Sequence, residues 1–462
     1  MGARLTAALL AGRVATGLSR QLRRGGGTVI AGHVVPRIDP SALQTITRRL
    51  RLGSVIVSGT NGKTTTTRLI SHMVRGAGIR PLHNRAGANL VTGLVTAVIQ
   101  QTSLAGRPSA DLGLFEVDEA TVPAALRHIR PRAVLLTNLF RDQLDRYGEV
   151  HFVADLWTTA FAGLPADARL LLNADDPLVA NLGRERAQAP LHFGVGDGAA
   201  GAAEMPHASD ARLCPTCGAA LRYSISFYGH LGHYVCSGCG ADRPTPDVEA
   251  TRIVALGDAG TEVAIRTPRG AFEARLSLPG LYNVYNALAA TAACLALGLD
   301  LPAIRRGLES FTTAFGRLER IRVGDRELFL ALVKNPVGFG EVLRTILQAD
   351  GERTLLIVIN DLFADGTDVS WLWDVDFEQL RGRVASVVCA GLRAEDMAVR
   401  LKYAGVPTDS VVVQPDIRGA LDAALARTPA GATLHVLPTY TAMLRVRDVL
   451  REQGHVRGFW QD

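Results

Sequence analysis

Residues 55–66 read Val-Ile-Val-Ser-Gly-Thr-Asn-Gly-Lys-Thr-Thr-Thr, a spacing that can hold polyphosphate. A short apolar strand, Val55 to Val57, runs into a glycine turn, and the turn opens a helix with Leu69, Ile70, Met73 and Val74 on one face. Gly59 and Gly62 let the backbone curl so that the N–H groups around Thr60 and Asn61 point inward, while the new helix adds the positive end of its dipole. Lys63 would reach the outer phosphates, and the hydroxyl of Thr64 would sit on Mg2+, which neutralises charge during phosphate transfer. The strict phosphate-loop pattern has a further glycine where this chain has Val57. The competing reading is an ordinary strand-turn-helix with a chance Gly-Lys-Thr.

A second constellation lies in the stretch from about 205 to 246. Cys214-Pro-Thr-Cys217-Gly and Cys236-Ser-Gly-Cys239-Gly are two Cys-x-x-Cys knuckles separated by eighteen residues, the spacing of a zinc ribbon. Four thiolates close a tetrahedral shell around Zn2+ and leave no position for water, so the role expected is structural. Two disulfides are the alternative, which a cytosolic chain would not keep. Zinc ribbons also bind nucleic acid, but the loop between the knuckles has one arginine, Arg222, and no basic cluster. His230 and His233 are expected on the ribbon surface. Cys294 and Cys389 lie in apolar runs and read as small core residues, so no cysteine is placed to hydrolyse glutamine.

Elements must position these groups. From Arg51 to about Arg322, short apolar strands alternate with helices, predicting an α/β unit with a mostly parallel sheet covered on both faces. Ligands in such sheets bind beyond the carboxyl ends of the strands. Glu116 ends one apolar strand, with Asp118 and Glu119 just after it, and could hold Mg2+ against phosphates; solvated loop acids are the plainer reading. Asn138, Asp142 and Asp145 follow another strand, and Asn173 and Asp175 a third.

The flanks are less regular. Residues 1–50 predict a short helical segment rather than a secretion signal: Leu10, Val14, Leu18 and Leu22 recur every four positions, as on the packed face of an amphipathic helix, with Arg13, Arg20, Arg23 and Arg24 on a solvated face that makes at most peripheral membrane contact. Gly25-Gly-Gly should end it, and an extended segment with Pro36 and Pro40 should lead to a basic helix before the loop strand. Residues 323–462 read as a smaller C-terminal Rossmann-like α/β domain. There the strand 354–359 runs into a segment, 360–378, with six carboxylates and two tryptophans, a binding or catalytic face unless it is acidic surface.

Bulk properties are permissive. The chain has 462 residues, 47% of them apolar, enough for several cores, and no apolar run of membrane-spanning length. Its 50 basic and 44 acidic residues leave +6, a mild preference for anionic ligands that does not call for nucleic acid.

Taken in order, Gly59 to Thr66, Asn84 to Gly93, Glu116 to Glu119, Thr137 to Gly148, Asn173 to Pro177, Leu278-Pro-Gly-Leu-Tyr-Asn-Val-Tyr-Asn and Phe315-Gly-Arg-Leu-Glu-Arg resemble the Mur ligase and folylpolyglutamate synthase superfamily. That resemblance implies ATP on Gly59, Thr60, Asn61, Gly62, Lys63, Thr64 and Thr65, with Asn283 and Asn286 by the adenine and Arg317 on the nucleotide; alone, Asn286 would read as a helix cap. Gln143 and Tyr282 stand where the amino-acid-adding enzymes usually have histidine, which leaves a second metal open. With 50 residues before the loop strand, the N-terminal domain those enzymes use to grip a uridine nucleotide is not expected.

The zinc-ribbon insertion, Asn138-Leu-Phe-Arg-Asp-Gln-Leu-Asp-Arg-Tyr-Gly-Glu, Lys334-Asn-Pro and Asp365-Gly-Thr-Asp-Val-Ser-Trp-Leu-Trp-Asp narrow the match to the MurT family, which the whole chain resembles. MurT proteins are the ATP-using subunits of lipid II isoglutaminyl synthase, so the resemblance implies amidation of lipid II in peptidoglycan synthesis, in the cytoplasm, with a GatD-type glutaminase subunit supplying ammonia. It also implies that an acid of the C-terminal domain completes the glutaminase site; Asp374 is the first candidate and Asp368 the next. A stand-alone amino-acid ligase of the Mur or folylpolyglutamate type is the alternative.

Overall fold

The computed structural model describes residues 3–21, 30–84, 88–141, 150–184, 186–202, 210–312, 317–348 and 351–456. The loop strand is β1, Ser54–Ser58, and all five of its residues are buried. Val55 and Val57 pack into one core and Ile56 into another on the opposite face, which is why a continuous apolar run forms a central strand. Along the chain follow β2 (Pro81–His83), β3 (Leu112–Glu116), β4 (Ala133–Leu136), β5 (Arg169–Asn173), β6 (Leu191–Val195), β7 (Leu221–Tyr228), β8 (Leu231–Cys236), β9 (Val248–Ala255), β10 (Thr261–Thr267) and β11 (Gly270–Leu276).

Nine of these strands form one sheet, ordered β11-β10-β9-β6-β5-β4-β1-β3-β2. The strands from β2 across to β9 run parallel, and β10 is antiparallel to both its neighbours. The chain goes from β1 to the edge at β2, returns through β3, then crosses to β4 on the other side of β1. Strand order therefore switches at β1, and the crevice that such a switch opens lies at its carboxyl end. Register makes the ends level: Val57 pairs with Glu116, and Ser58 with Leu136. Helices Lys63–Gly76 and Leu281–Leu297 cover one face, and helices Ala3–Gln21, Ile30–Ile38, Val91–Gln100 and Val150–Ala162 the other.

The two remaining strands of this part, β7 and β8, make a separate antiparallel hairpin inserted between β6 and β9. A second sheet holds β12 (Arg317–Val323), β13 (Arg326–Ala331), β14 (Arg353–Val358), β15 (Val384–Ala390), β16 (Val411–Val413) and β17 (Thr433–Pro438), in the order β12-β13-β17-β14-β15-β16. It is parallel apart from the β12/β13 pair and has a core on each face. Cys389 in β15 and Cys294 in the helix Leu281–Leu297 are buried core residues, as expected.

The N-terminal segment departs from the sequence expectation in two ways. Its first helix, Ala3–Gln21, buries Leu5, Ala8, Leu9 and Thr16, whereas Leu10, Val14 and Leu18 point outward at 47%, 60% and 52% exposure; Leu22 is outside the described residues. Both faces of this helix are apolar, so periodicity alone picked the wrong one. Residues Ile30–Ile38 are helical rather than extended, with Pro36 inside the helix. Tertiary packing overrides the proline: Ala31 and Val35 are buried, and Gly32 lies so close to the Thr92 backbone that a Cβ there would stand 2.0 Å from its carbonyl.

Candidate active site between the two sheets

The loop after β1 curls as its glycines permit. Gly59 has φ 124° and Gly62 φ 87°, and a Cβ would stand 2.3 Å from Thr137 Oγ1 at the first and 2.1 Å from Asn286 Oδ1 at the second. Gly62 caps the helix Lys63–Gly76. The loop is clamped from β4: the Asn61 amide donates to Asn138 Oδ1 at 2.8 Å, while Thr137 Oγ1 and Asn138 Nδ2 donate to the Asn61 carbonyl at 2.7 and 3.1 Å. Thr60 exchanges hydrogen bonds with the backbone of Phe140. These contacts fix the cradle before any ligand arrives, which reduces the entropy cost of binding.

Three groups expected to handle phosphate and magnesium meet at the strand ends. Thr64 Oγ1 donates to Glu116 Oε1 at 2.9 Å, and Asn84 holds Glu116 in place by pairing with both its backbone N–H and C=O. Lys63 Nζ donates to Glu119 Oε2 at 2.9 Å and to the carbonyls of Gly59 and Thr60. Burial works against the charge on Lys63, but Glu119 and then Asp118 outweigh it, so the ammonium is held above its ordinary range. Burial likewise opposes ionisation of Glu119, and Lys63 with Lys334 reverses it, holding that carboxyl below its usual value. A hydroxyl and a carboxylate side by side suit Mg2+, a hard cation that takes oxygen ligands.

Beside this cradle a cavity of about 110 Å³ opens between the two sheets. The first part of the chain contributes Asn61, Gly62, Thr65, Asn138, Asn283 and Asn286, and the second part Leu332, Lys334, Val337 and Glu341. Asn283 and Asn286 are linked by a 3.1 Å hydrogen bond, and Asn286 Oδ1 accepts from Thr66. Asn286 lies in the second turn of its helix, so it is not the cap. Asn335 joins the two parts: its side chain caps the helix Pro336–Ile346 through Gly338 N at 2.8 Å, and its amide exchanges hydrogen bonds of 3.0 and 3.4 Å with that of Asn61.

The four cysteines come together as their spacing requires. Their sulfurs all lie within 4.8 Å of one another, a donor set that could hold a metal ion. The amide of Cys239, then that of Gly238, donates to the Cys236 sulfur and pulls this thiol down to about 6, toward the thiolate that a metal binds. At the other end of the hairpin, Tyr228 lines the cavity and the Phe227 carbonyl accepts from Arg344 at 2.8 Å.

His230, expected on the ribbon surface, is fully buried at this tip. Its ring lies against that of Phe140, tilted by 51° with centroids 4.7 Å apart, and its Nε2 lies 3.3 Å from Asp176 Oδ2. Asp175 and Asp176 make structural contacts: Asp175 binds Arg243, Tyr285 Oη and the Val195 amide, and Asp176 caps the helix Pro177–Asn181 and takes the Leu139 amide. Asn173 is likewise structural, donating to the Thr137 carbonyl.

In the C-terminal part the six carboxylates are dispersed. Asp361 pairs with Arg393, Asp365 with Thr441, and Glu378 with Arg400, while Asp368 accepts from the Ser370 amide. Asp374 lies 3.7 Å from Arg141, which continues the β4 loop, and neither Asp374 nor Asp368 lines the cavity. Asp142, Gln143, Asp145 and the side chain of Arg317 are outside the described residues. Sequence reading passed over Glu341 and Tyr228, noted Glu119 only as one of the acids after the Glu116 strand, and noted Asn335 only within Lys334-Asn-Pro. Only Asn335 carried a usable signal, an Asn-Pro pair ahead of an apolar helical pattern.

Residues 57–234 match the Mur ligase middle domain, and residues 332–443 match the MurT ligase C-terminal domain. The chain is 33% identical to the lipid II isoglutaminyl synthase (glutamine-hydrolyzing) subunit MurT of Streptococcus pneumoniae, over 99% of both chains. The chain belongs to the MurT family. The subunit MurT of Staphylococcus aureus strain N315 is 32% identical over 90% of this chain and 91% of its own. Among solved structures, a pseudomurein peptide ligase type C from Methanothermus fervidus superposes with a TM-score of 0.67 at 22% identity, covering 87% of this chain and 78% of that one. The fold is that of the Mur ligases, and MurT relatives are named as subunits of a complex.

Proposed function

We propose that this chain is the synthetase half of a glutamine-dependent amidotransferase that converts the α-carboxylate of D-glutamate in the lipid II stem peptide to the amide, for peptidoglycan synthesis. The match to a lipid II isoglutaminyl synthase subunit over 99% of both chains carries this reading. A carboxylate is a poor electrophile. Its oxygen attacks the terminal phosphorus of ATP, ADP leaves, and the acyl phosphate so formed has a good leaving group. Ammonia then adds to the acyl carbon and phosphate departs, giving D-isoglutamine.

The residues support that sequence of events. Lys63 would move from Glu119 to the outer phosphates, and the backbone amides from Gly59 to Thr65 would cradle them. Mg2+, held by Thr64 and Glu116, would supply charge neutralisation. Asn283 and Asn286 would take the adenine, and Arg317 would contact the nucleotide. Zn2+ on Cys214, Cys217, Cys236 and Cys239 would have a structural task.

Glutamine hydrolysis through a cysteine needs a reactive thiol, and none of the six cysteines suits that task. Burial pushes the Cys389 thiol up to about 12 and raises that of Cys294 further, and the other four cysteines form the cluster. A GatD-type glutaminase partner would therefore supply ammonia, with Asp374, or else Asp368, completing its site from the exposed side of the C-terminal domain.

The test is amidation of lipid II with ammonium or with glutamine, each with and without the glutaminase subunit. Product from ammonium alone, but from glutamine only with the partner, is expected. ATP consumption that requires a free amino acid, with no amidation, would overturn the reading.

A further inference from the structure

The helix Ala3–Gln21 contains no acidic residue, and the chain has none before Asp39. Its inner face packs tightly; at Gly12 a Cβ would stand 2.7 Å from Val35. Its outer face presents Leu10, Val14 and Leu18, spaced by four and roughly half exposed. A helix with apolar residues on two opposite faces normally has both covered, and this one is covered on one.

Charge surrounds the uncovered stripe. Arg4 and Arg13 are exposed and reach the carbonyls of Ile38 and Thr102, which holds their guanidinium groups at the flanks of the helix. The Thr102 contact places the 102–107 loop alongside, adding the exposed Leu104 and Arg107, and Arg49 joins them by donating to the Gly106 carbonyl at 2.7 Å. An apolar strip rimmed by arginines complements an anionic lipid surface, where the side chains enter the headgroup boundary and the arginine heads stay with the phosphates. No helix among the described residues is long and apolar enough to cross a membrane, so the geometry is one of lying on the surface.

We propose that the face formed by Leu10, Val14 and Leu18, with its rim of arginines, docks the protein on an anionic lipid bilayer. The inference goes beyond the amidation reading and stands on the helix alone, although a bilayer-embedded substrate would give the docking its purpose.

The experiment is co-sedimentation of the full chain with vesicles of phosphatidylglycerol and phosphatidylcholine, or of phosphatidylcholine alone, without lipid II or ATP. Partition onto the anionic vesicles should exceed that onto neutral ones at least tenfold and should fall as salt rises. The triple variant L10E/V14E/L18E, with melting temperature and circular dichroism as fold controls, should drop to the neutral-vesicle level. A second variant in the neighbouring loop, L104E/R107E, should weaken binding several-fold without touching the helix.

Equal partition onto both lipids, or undiminished binding by both variants, would overturn the proposal. It would also fall if the triple variant lost self-association or the glutaminase subunit while vesicle binding persisted, because the face would then be a protein interface. None of these outcomes depends on whether the enzyme amidates lipid II.

Discussion

Lys63 and Glu119 form a buried ion pair, 2.9 Å between Nζ and Oε2, with each side chain less than a tenth exposed. The lysine proposed to reach phosphate is thus held by a carboxylate that follows the neighbouring strand, β3. Removing one member of such a pair leaves a charge buried without its partner, at about 3–5 kcal/mol. Glu119→Gln should lower thermal stability accordingly, and MgADP should raise its melting temperature more than that of the wild type, since phosphate replaces the lost carboxylate. Lys63→Ala should cut turnover by about 10²-fold or more. Equal nucleotide shifts in Glu119→Gln and wild type would count against the pairing.

Glu341 gives a pH signature. Burial pushes its carboxyl up to about 7 from an ordinary 4.5, against the lowering effect of Arg344. The folded state therefore keeps a proton that the unfolded state releases. Stability from this group is fully present below pH 4.5 and is lost as pH rises toward 7, by about 3 kcal/mol at most. Glu341→Gln should remove that dependence, and the difference in stability between variant and wild type, from denaturant titrations at pH 5 and pH 8, should grow toward the higher pH.

Cys217→Ser should empty the cysteine cluster of metal, read as zinc per chain. Because Tyr228, at the far end of the same hairpin, borders the cavity proposed to take the nucleotide, ATP affinity should fall about tenfold as well. Loss of zinc with unchanged nucleotide affinity would show that the two ends are independent.

Asn335→Ala removes a helix cap and the tie to Asn61 together. The cap contributes about 1 kcal/mol. A larger loss in the variant, absent when Asn61→Ala is already present, would measure the tie between the two parts in a double-mutant cycle.

Asp374→Asn should separate the two half-reactions. Glutamine-driven amidation should fall at least tenfold while ammonium-driven amidation holds. If Asp368→Asn alone gives that pattern, the acid next in order completes the partner's site.

What was legible in the sequence was local. The strand-turn-helix around Lys63 and the Cys-x-x-Cys pairs each bring their chemistry together within a few residues, so spacing is enough. The N-terminal helix defeated periodicity because Leu5, Ala8 and Leu9 make as good an apolar face as Leu10, Val14 and Leu18; only the partner helices at 30–38 and 91–100 decide between them. His230 was misplaced for a related reason. A polar residue at a hairpin tip normally meets water, and nothing near it in the chain announces that Phe140 and Asp176 will enclose it. Glu119, Asn335 and Glu341 acquire their surroundings from elements far away along the chain.

The hairpin of β7 and β8 looks like a detachable accessory, an excursion between two neighbouring strands of the large sheet. Its tip says otherwise. Tyr228 borders the cavity between the two sheets, Arg344 reaches across to the Phe227 carbonyl, and His230 Nε2 lies beside Asp176. Anyone trimming the chain to a minimal enzyme by splicing β6 to β9 through a short linker would be cutting away a wall of the cavity between the two sheets, and grafting the same hairpin onto another ligase would transplant a cysteine cluster without the cleft its tip borders.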